Sequence, residues 1–249
     1  MELTVLGADG SWPGPNGATS GYLVTHAGFN MWMDAGFGTI GQLQEYVPLT
    51  ELGAVLLSHG HRDHVVDLYA LFASRRFGRT EAQDLPVLAL PDIKSYMGQL
   101  VSDRSGDAWT TAFDWRDLEA GQTIDIGPFM VHCHEMAHFG PALGFRIEAD
   151  SEVLAYTGDT GPTDEIVKLA GGADVLLAEA SWQDGEQQHD KHLTARECGR
   201  YASSAGVALL ILTHLEPGHD PSVSVAQASE EFDGQIVLAE QGMRMEVSR

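Results

Sequence analysis

Basic residues are scarce in this chain. Only 14 lysines and arginines stand against 36 aspartates and glutamates, and the lysines are just Lys94, Lys168 and Lys191. The resulting net charge of −22 repels nucleic-acid backbones and anionic membranes at long range. A plainer origin for the same charge is solubility or adaptation to a salty cytoplasm. In either case a long polyanionic partner such as tRNA is disfavoured, and a membrane surface is not expected. The densest basic group, Arg75, Arg76 and Arg79, reads as a cap on the end of a helix starting near Asp63. Cysteine is nearly absent. Cys133 and Cys198 form no spacing pattern and read as small core residues rather than as a disulfide framework or metal ligands. Long apolar runs are missing too, so no membrane-spanning helix is expected. The opening residues Met1 to Gly7 read directly as a strand, without the basic region and apolar core of a signal peptide, which makes the cytoplasm the expected compartment.

Histidine, by contrast, is plentiful, with 11 residues. The chain is organised around residues 54–72, AVLLSHGHRDHVVDLYALF. Ala54 to Leu57 is an apolar run that predicts a buried strand. Val65, Val66, Leu68, Tyr69, Leu71 and Phe72 then recur at helical spacing. Between them, His59, His61, Asp63 and His64 place three imidazoles and a carboxylate at a strand-to-helix turn, with Gly60 where the chain must bend. Neutral imidazole and carboxylate suit zinc, manganese or iron. A polar surface loop would account for a lone HxH pair. It does not account for the whole HxHxDH string directly after a buried strand.

Strands are predicted at 2–6, 20–25, 30–34, 86–90, 122–126, 129–135, 143–148, 152–157, 175–178, 207–213, 236–240 and 243–247. Helices are predicted at 39–47, 163–170, 194–205 and 222–232, and residues 92–118 read as mixed and largely helical. The length of 249 residues suits one large domain, residues 1–249. Strands with helices before, between and after them predict an α/β chain of two packed sheets covered by helices. No residue-level repeat is visible. The Gly/Pro-rich segment Gly7 to Thr19 is long for a hairpin and is a candidate border of the site.

Three more ligand-capable residues stand just past strand ends: His138, Asp159 and His214. Strands ending on one edge of a sandwich bring them to the opening motif. His132 and His134 are rivals to His138 but lie within a strand. His26, His189 and His219 read as loop residues. Five histidines and two aspartates are enough for two metals if one carboxylate bridges them.

At this point the chain resembles the metallo-β-lactamase-fold hydrolases of the ribonuclease Z-like branch. MELTVLG, SGYLV, MDAGFG, LLSHGHRDH, AHFG, YTGDTG, AEASW, HLTARECG and LTHL occur in family order. Within that branch it is most similar to small bacterial phosphodiesterases related to the class II-like cyclic-nucleotide enzymes. The resemblance implies a four-layer αββα sandwich and two divalent ions, zinc first, with manganese and iron open. It implies His59, His61 and His138 on one ion, Asp63, His64 and His214 on the other, and Asp159 bridging. It makes Asp34 the orienting partner of a ligand histidine, although from sequence alone Asp34 is equally a turn residue before Gly36. It promotes Glu179 and His192 to a catalytic pair, where the sequence alone suggests only a loop histidine before a helix capped by Thr194.

The expected reaction is hydrolysis of a small phosphodiester, such as a cyclic nucleotide, by a hydroxide bridging the metals. Asp63 doubles as proton acceptor and His192 acts on the leaving alkoxide. RNA processing and carbonyl hydrolysis of a lactone, lactam or thioester are the alternatives on the same fold; a non-catalytic metal protein is the rival from another class. Full ribonuclease Z carries a long arm for gripping tRNA between the bridging aspartate and the last ligand histidine. The 55 residues from Asp159 to His214 leave no room for one. The polar stretch Asp184 to Lys191 is open as a lid or a plain loop, and the resemblance leaves a homodimer open.

Overall fold

A computed structural model of the chain describes residues 1–78, 84–101, 107–187 and 189–248. The first sheet contains β1 (Glu2–Gly7), β2 (Gly21–His26), β3 (Phe29–Ala35), β4 (Ala54–Leu56), β5 (Pro86–Ala89), β6 (Asp114–Asp117) and, at its edge beside β1, β14 (Arg244–Glu246). The second contains β7 (Thr123–Ile126), β8 (Phe129–Glu135), β9 (Leu143–Ala149), β10 (Glu152–Tyr156), β11 (Val175–Glu179), β12 (Leu209–Thr213) and β13 (Gln235–Leu238). Both sheets are mixed. In the first, β1, β2 and β3 pair antiparallel and β3 to β6 run parallel. In the second, β8, β9 and β10 pair antiparallel and β10 to β13 run parallel. The two halves therefore repeat one topology without repeating residues.

Helices cover the outer faces: α1 (Thr39–Leu43), α2 (Arg62–Val65), α3 (Leu68–Phe77), α4 (Pro91–Gly98) and α5 (Ala108–Thr111) belong to the first half, and α6 (Glu165–Ala170), α7 (Ala195–Ala205) and α8 (Pro221–Ser229) to the second. The expected αββα arrangement is what forms. Burial explains why β11 and β12 read as unbroken apolar runs. Val175, Leu177, Leu209 and Ile211 join the core that includes both sheets, with Trp32, Leu56, Phe145 and Tyr156. The alternate residues Leu176, Ala178, Leu210 and Leu212 join a second core with Ile166, Leu169, Cys198 and Ala228 from the covering helices.

Two segments depart from the sequence reading. The single helix expected from Asp63 through Phe72 is two helices, α2 and α3, broken at Val66–Asp67. The Asp67 amide bonds to the Ala35 carbonyl at 2.9 Å. Its carboxylate accepts from the Ile40 amide at 2.9 Å. The Asp63 carbonyl, which Asp67 would otherwise take in a continuous helix, accepts from Thr19 Oγ1 at 2.8 Å. The 92–118 segment contains α4 and α5 but ends in a strand, β6, which extends the parallel run. Asp114, Arg116 and Asp117 on that edge are exposed, so the strand has little of the apolar alternation that reveals strands in sequence. Arg75 and Arg76 do lie in the last turn of α3, although Arg75 Nε donates to Ala112 O rather than to a helix carbonyl. Arg79 lies outside the described residues.

A glycine is essential near the site, but it is not Gly60. A Cβ on Gly60 would meet only Ile93 Cγ1, at 3.6 Å. One on Gly36 would sit 2.0 Å from Asp63 O and 2.2 Å from Thr19 Oγ1. Gly36 thus lets the turn after β3 touch the backbone of α2. Urea unfolding should show Gly36→Ala destabilised by about 2 kcal/mol or more, as overpacked sites are, while Gly60→Ala stays within about 0.5 kcal/mol of the parent.

Candidate dinuclear metal site

The sandwich delivers polar residues to one edge. His59 follows β4, His61 is the N-cap of α2, and Asp63 and His64 lie in its first turn. His138 follows β8, Asp159 follows β10 and His214 follows β12. The Leu143 amide donates to Ser58 O at 3.0 Å and ties the opening motif to the second sheet. All seven residues expected from sequence converge, in two groups. Atoms of His59, His61, His138 and Asp159 lie within 4.8 Å of one another, and so do atoms of Asp63, His64, His214 and Asp159. Asp159 belongs to both. His138 rather than its rivals enters the site: His132 bonds to Thr123 Oγ1 at 2.8 Å and His134 approaches Glu165 at 3.3 Å. Burial pushes the Cys133 thiol up to about 12 and raises the Cys198 thiol as well, so neither offers a thiolate.

The hydrogen bonds behind the imidazoles define what the centre can hold. Asp34, at the end of β3, is fully buried and its carboxylate accepts four bonds. They come from the Ser58 amide at 2.8 Å, Ser58 Oγ at 2.7 Å, His64 Nδ1 at 2.7 Å and the Tyr156 hydroxyl at 2.7 Å. Ser58 spends its single proton on Asp34, so at 3.1 Å it accepts from His59 Nδ1. Ser181 Oγ likewise donates to Glu179 Oε2 at 2.9 Å and accepts from His214 Nδ1 at 2.9 Å. His138 Nδ1 donates to Lys191 O at 2.9 Å. Four rings therefore turn N–H outward and an Nε2 lone pair inward.

Those lone pairs face other acceptors. His64 Nε2 is 3.1 Å from Asp159 Oδ1, and His138 Nε2 is 3.1 Å from His61 Nδ1. His214 Nε2 lies 3.2 Å from Asp63 Oδ2 and 3.4 Å from Asp159 Oδ1. His59 Nε2, His64 Nε2 and Asp159 Oδ1 are buried without a hydrogen-bond partner. Converging buried lone pairs are costly unless protons or a cation fill the gap. Nitrogen and oxygen donors in two groups joined by one carboxylate fit two divalent ions. Burial opposes charging the rings and holds His59 well below and His61 and His138 below the usual histidine range, whereas at His64 and His214 the neighbouring carboxylates, Asp159 above all, outweigh burial and raise both.

Glu179 and His192 stand beside this centre. His192 Nδ1 lies 2.8 Å from Glu179 Oε1, and Glu179 Oε1 also accepts from the Thr160 amide at 2.9 Å. Burial works against a charged His192, but the adjacent Glu179 carboxylate outweighs it and raises the imidazolium to about 9. Glu179, His192 and His214 form a third close group. Its inner atoms are already engaged with one another through Ser181.

Residues 30–215 match the beta-lactamase superfamily domain. The chain belongs to that superfamily. The uncharacterised protein Rv1339 of Mycobacterium tuberculosis is 36% identical over 242 residues, covering 95% of this chain and 88% of its own length. The probable metallo-hydrolase YhfI of Bacillus subtilis is 29% identical over 97% of this chain and 98% of its own. A crystal structure of YhfI superposes with a TM-score of 0.89, covering 98% of this chain and 99% of that one. Ribonuclease Z of Haloferax volcanii is 28% identical over 99% of this chain and 95% of its own. The αββα sandwich is thus the metallo-β-lactamase fold, and the clustered donors belong to a metallo-hydrolase.

Several contributors to the site were invisible in the sequence. Ser58, Ser181, Tyr156 and the Lys191 carbonyl hold the rings, yet no spacing rule marks them. The available signal was position, since Ser58 and Ser181 each stand two residues past the end of equivalent strands, β4 and β11. His189, read as a loop residue, has its ring 5.5 Å from His192 and 4.9 Å from Phe139. His26 pairs with Asp150 and His219 with Glu186, both away from the centre. The Gly7 to Thr19 loop does border the site, since the Ser11 amide donates to Asp63 Oδ2 at 3.1 Å. In the stretch from Asp184 to Lys191, Asp184 is tied to Arg196 at 2.6 Å and Lys191 to His138, while residue 188 lies outside the described residues. Thr194 caps α7 in a reciprocal pair with Glu197, as its place in the sequence implies.

Calorimetry on this hydrolase should show metal affinity falling about 10–100-fold in Asp34→Asn, the usual cost of losing an orienting carboxylate. Chelator treatment of the parent should lower its Tm, and adding back a divalent ion should restore it.

Proposed function

We propose that this hydrolase cleaves a small phosphodiester, with a cyclic nucleotide as the first candidate. The observation that carries the reading is the Glu179–His192 pair: a buried carboxylate 2.8 Å from Nδ1 of a ring whose pKa it raises. A carboxylate behind the ring favours its acid form, beside the metal-ligating residues where a departing alkoxide needs a proton.

The ligands on this reading are His59, His61 and His138 for one ion and Asp63, His64 and His214 for the other, bridged by Asp159. When bound, two divalent ions, zinc in the first instance, lower the pKa of a water and neutralise charge on the non-bridging phosphoryl oxygens. The protein's own groups do the rest. Asp63 Oδ2, held by the Ser11 amide, is placed to accept a proton from the attacking water. Glu179 fixes the His192 ring through Nδ1, which leaves Nε2 to donate to the leaving oxygen. Asp34, Ser58 and Ser181 keep the remaining rings aimed, so little reorganisation accompanies the reaction.

Two features support a small substrate over a long nucleic acid. One is the net charge of −22. The other is the segment from Asp159 to His214, which is occupied by α6, β11, α7 and β12 and extends no arm among its described residues. The relationship to ribonuclease Z of H. volcanii supports phosphorus over carbonyl chemistry.

Metal-loaded protein should hydrolyse bis(p-nitrophenyl) phosphate and leave nitrocefin intact; cleavage of nitrocefin alone would refute the phosphodiester reading. His192→Ala should lower kcat on the diester about 10²–10⁴-fold with metal content unchanged. The sign of the pH effect follows from the raised pKa. The acid form is present below it and lost above it, so activity falls on the alkaline side, and Glu179→Gln should move that fall to lower pH.

A further inference from the structure

Beside the metal-ligating residues lies a cleft of about 460 Å³ whose walls include His61, Arg62, Asp63, Trp12, Phe37 and Tyr96. It opens on the side of the centre formed by the Gly7 to Thr19 loop and α4. Its size falls within the range of small-molecule sites. Its composition is unusual for so acidic a protein. Trp12 is 49% exposed and Tyr96 38% exposed, although large aromatic rings are ordinarily buried or covered. Of the five tryptophans only Trp12 is exposed; Trp32, Trp109 and Trp182 are buried and Trp115 is half-buried. Arg62 is exposed, stands next to a ligand-capable residue on each side, and has no carboxylate partner within 4 Å among the described residues. Arg196, Arg146, Arg116 and Arg244, in contrast, are all tied to acids.

Three aromatic rings, one cation free of an ion pair and an edge of the metal cluster in one cleft define a ligand by chemistry. A flat π-face stacks on Trp12, Tyr96 or Phe37, and the adjacent guanidinium meets an anionic oxygen or stacks in turn. A purely aliphatic diester would leave the rings uncovered. A peptide or lipid would not call for the lone cation against the centre. The loop bearing Trp12 is anchored rather than loose: the Gly10 amide donates to Leu215 O at 2.8 Å and the Ser11 amide to Asp63. The wall is therefore set by the same residues that border the site.

We propose that this cleft seats the nucleobase of a nucleotide, with Trp12 and Tyr96 as stacking surfaces and Arg62 as the contact to its phosphate. This deepens the phosphodiester reading and rests on it: the diester cut at the centre is that of a base-bearing nucleotide. The base preference comes from stacking, which every base supports, so purine and pyrimidine substrates differ less than base-bearing and base-free ones.

The test uses binding, read by intrinsic tryptophan fluorescence on the metal-loaded protein, with adenosine 5′-monophosphate and ribose 5-phosphate as probes. They carry the same phosphate and differ in the base. The nucleotide should quench fluorescence and bind at least tenfold more tightly than the sugar phosphate. Trp12→Leu should abolish the quench and weaken binding about tenfold by a competition readout. Tyr96→Ala should weaken nucleotide binding and spare ribose 5-phosphate, whereas Arg62→Ala should weaken both. Equal affinity for the two probes, or nucleotide affinity unchanged in Trp12→Leu and Tyr96→Ala, would overturn the assignment. Hydrolysis of bis(p-nitrophenyl) phosphate by the same preparation separates the two readings. Activity without base-dependent binding removes the base seat alone, and base-dependent binding without diesterase activity removes the phosphodiester reading while the seat stands.

Discussion

The structure turns on a buried knot of imidazoles and carboxylates gathered around Asp159. Asp159 is buried among His59, His64, His138 and His214, and the hydrogen bonds behind these rings commit their protons to the outside. What faces inward is a set of lone pairs and carboxylate oxygens at 3.1–3.7 Å. A folded domain tolerates such a knot only if its surroundings over-determine it or a cation neutralises it. The first condition is visible. Asp34 and His214 hold left-handed backbone angles, φ 56 and 58, which side chains other than glycine rarely adopt. Each is locked from behind, Asp34 by four donors and His214 by Ser181.

The restraint is built twice, once in each half of the fold. In the first half a buried carboxylate, Asp34, takes the Ser58 proton and Ser58 accepts from His59. In the second half Glu179 takes the Ser181 proton and Ser181 accepts from His214. A serine two residues past the strand end thus fixes one ring in each half. The topological repeat explains the parallel, because equivalent strands end at the same edge. The halves differ in what else the carboxylate holds. Asp34 spends its remaining capacity on His64 and Tyr156, whereas Glu179 spends it on His192. Both relays orient imidazoles, and the one through Glu179 also raises the pKa of His192.

That division explains what was legible in the sequence. The ligand-capable residues lie at strand ends and in the HxHxDH turn, where local pattern and position coincide, so His59, His61, Asp63, His64, His138, Asp159 and His214 stood out. The sandwich followed from strands alternating with helices. Asp34, Glu179 and His192 emerged through family resemblance and not through spacing. Ser58, Ser181, Tyr156 and the Lys191 carbonyl did not emerge, because serine after a strand is common and a carbonyl has no residue type. The break between α2 and α3 was missed for a related reason. Apolar periodicity persists across Val66, and only the tertiary bonds of Asp67 to Ala35 and Ile40 interrupt the helix. Strand β6 was missed because its edge is polar and exposed.

On the phosphodiester reading an acidic protein acts on an anion, and the layout reconciles the two through range. Bulk repulsion from a net charge of −22 acts over a Debye length of about 8 Å at physiological salt, and over less at higher salt. A ligand small enough to enter the cleft spends its bound life inside that distance. There Arg62 and Asp63 both line the wall, beside the cations that the two ligand sets are fitted to hold. A long polyanion would place most of its charge beyond the cleft, against carboxylates. On that reading the surface and the site select in the same direction: the acidic exterior penalises length, and a metal-loaded centre would favour a compact anion.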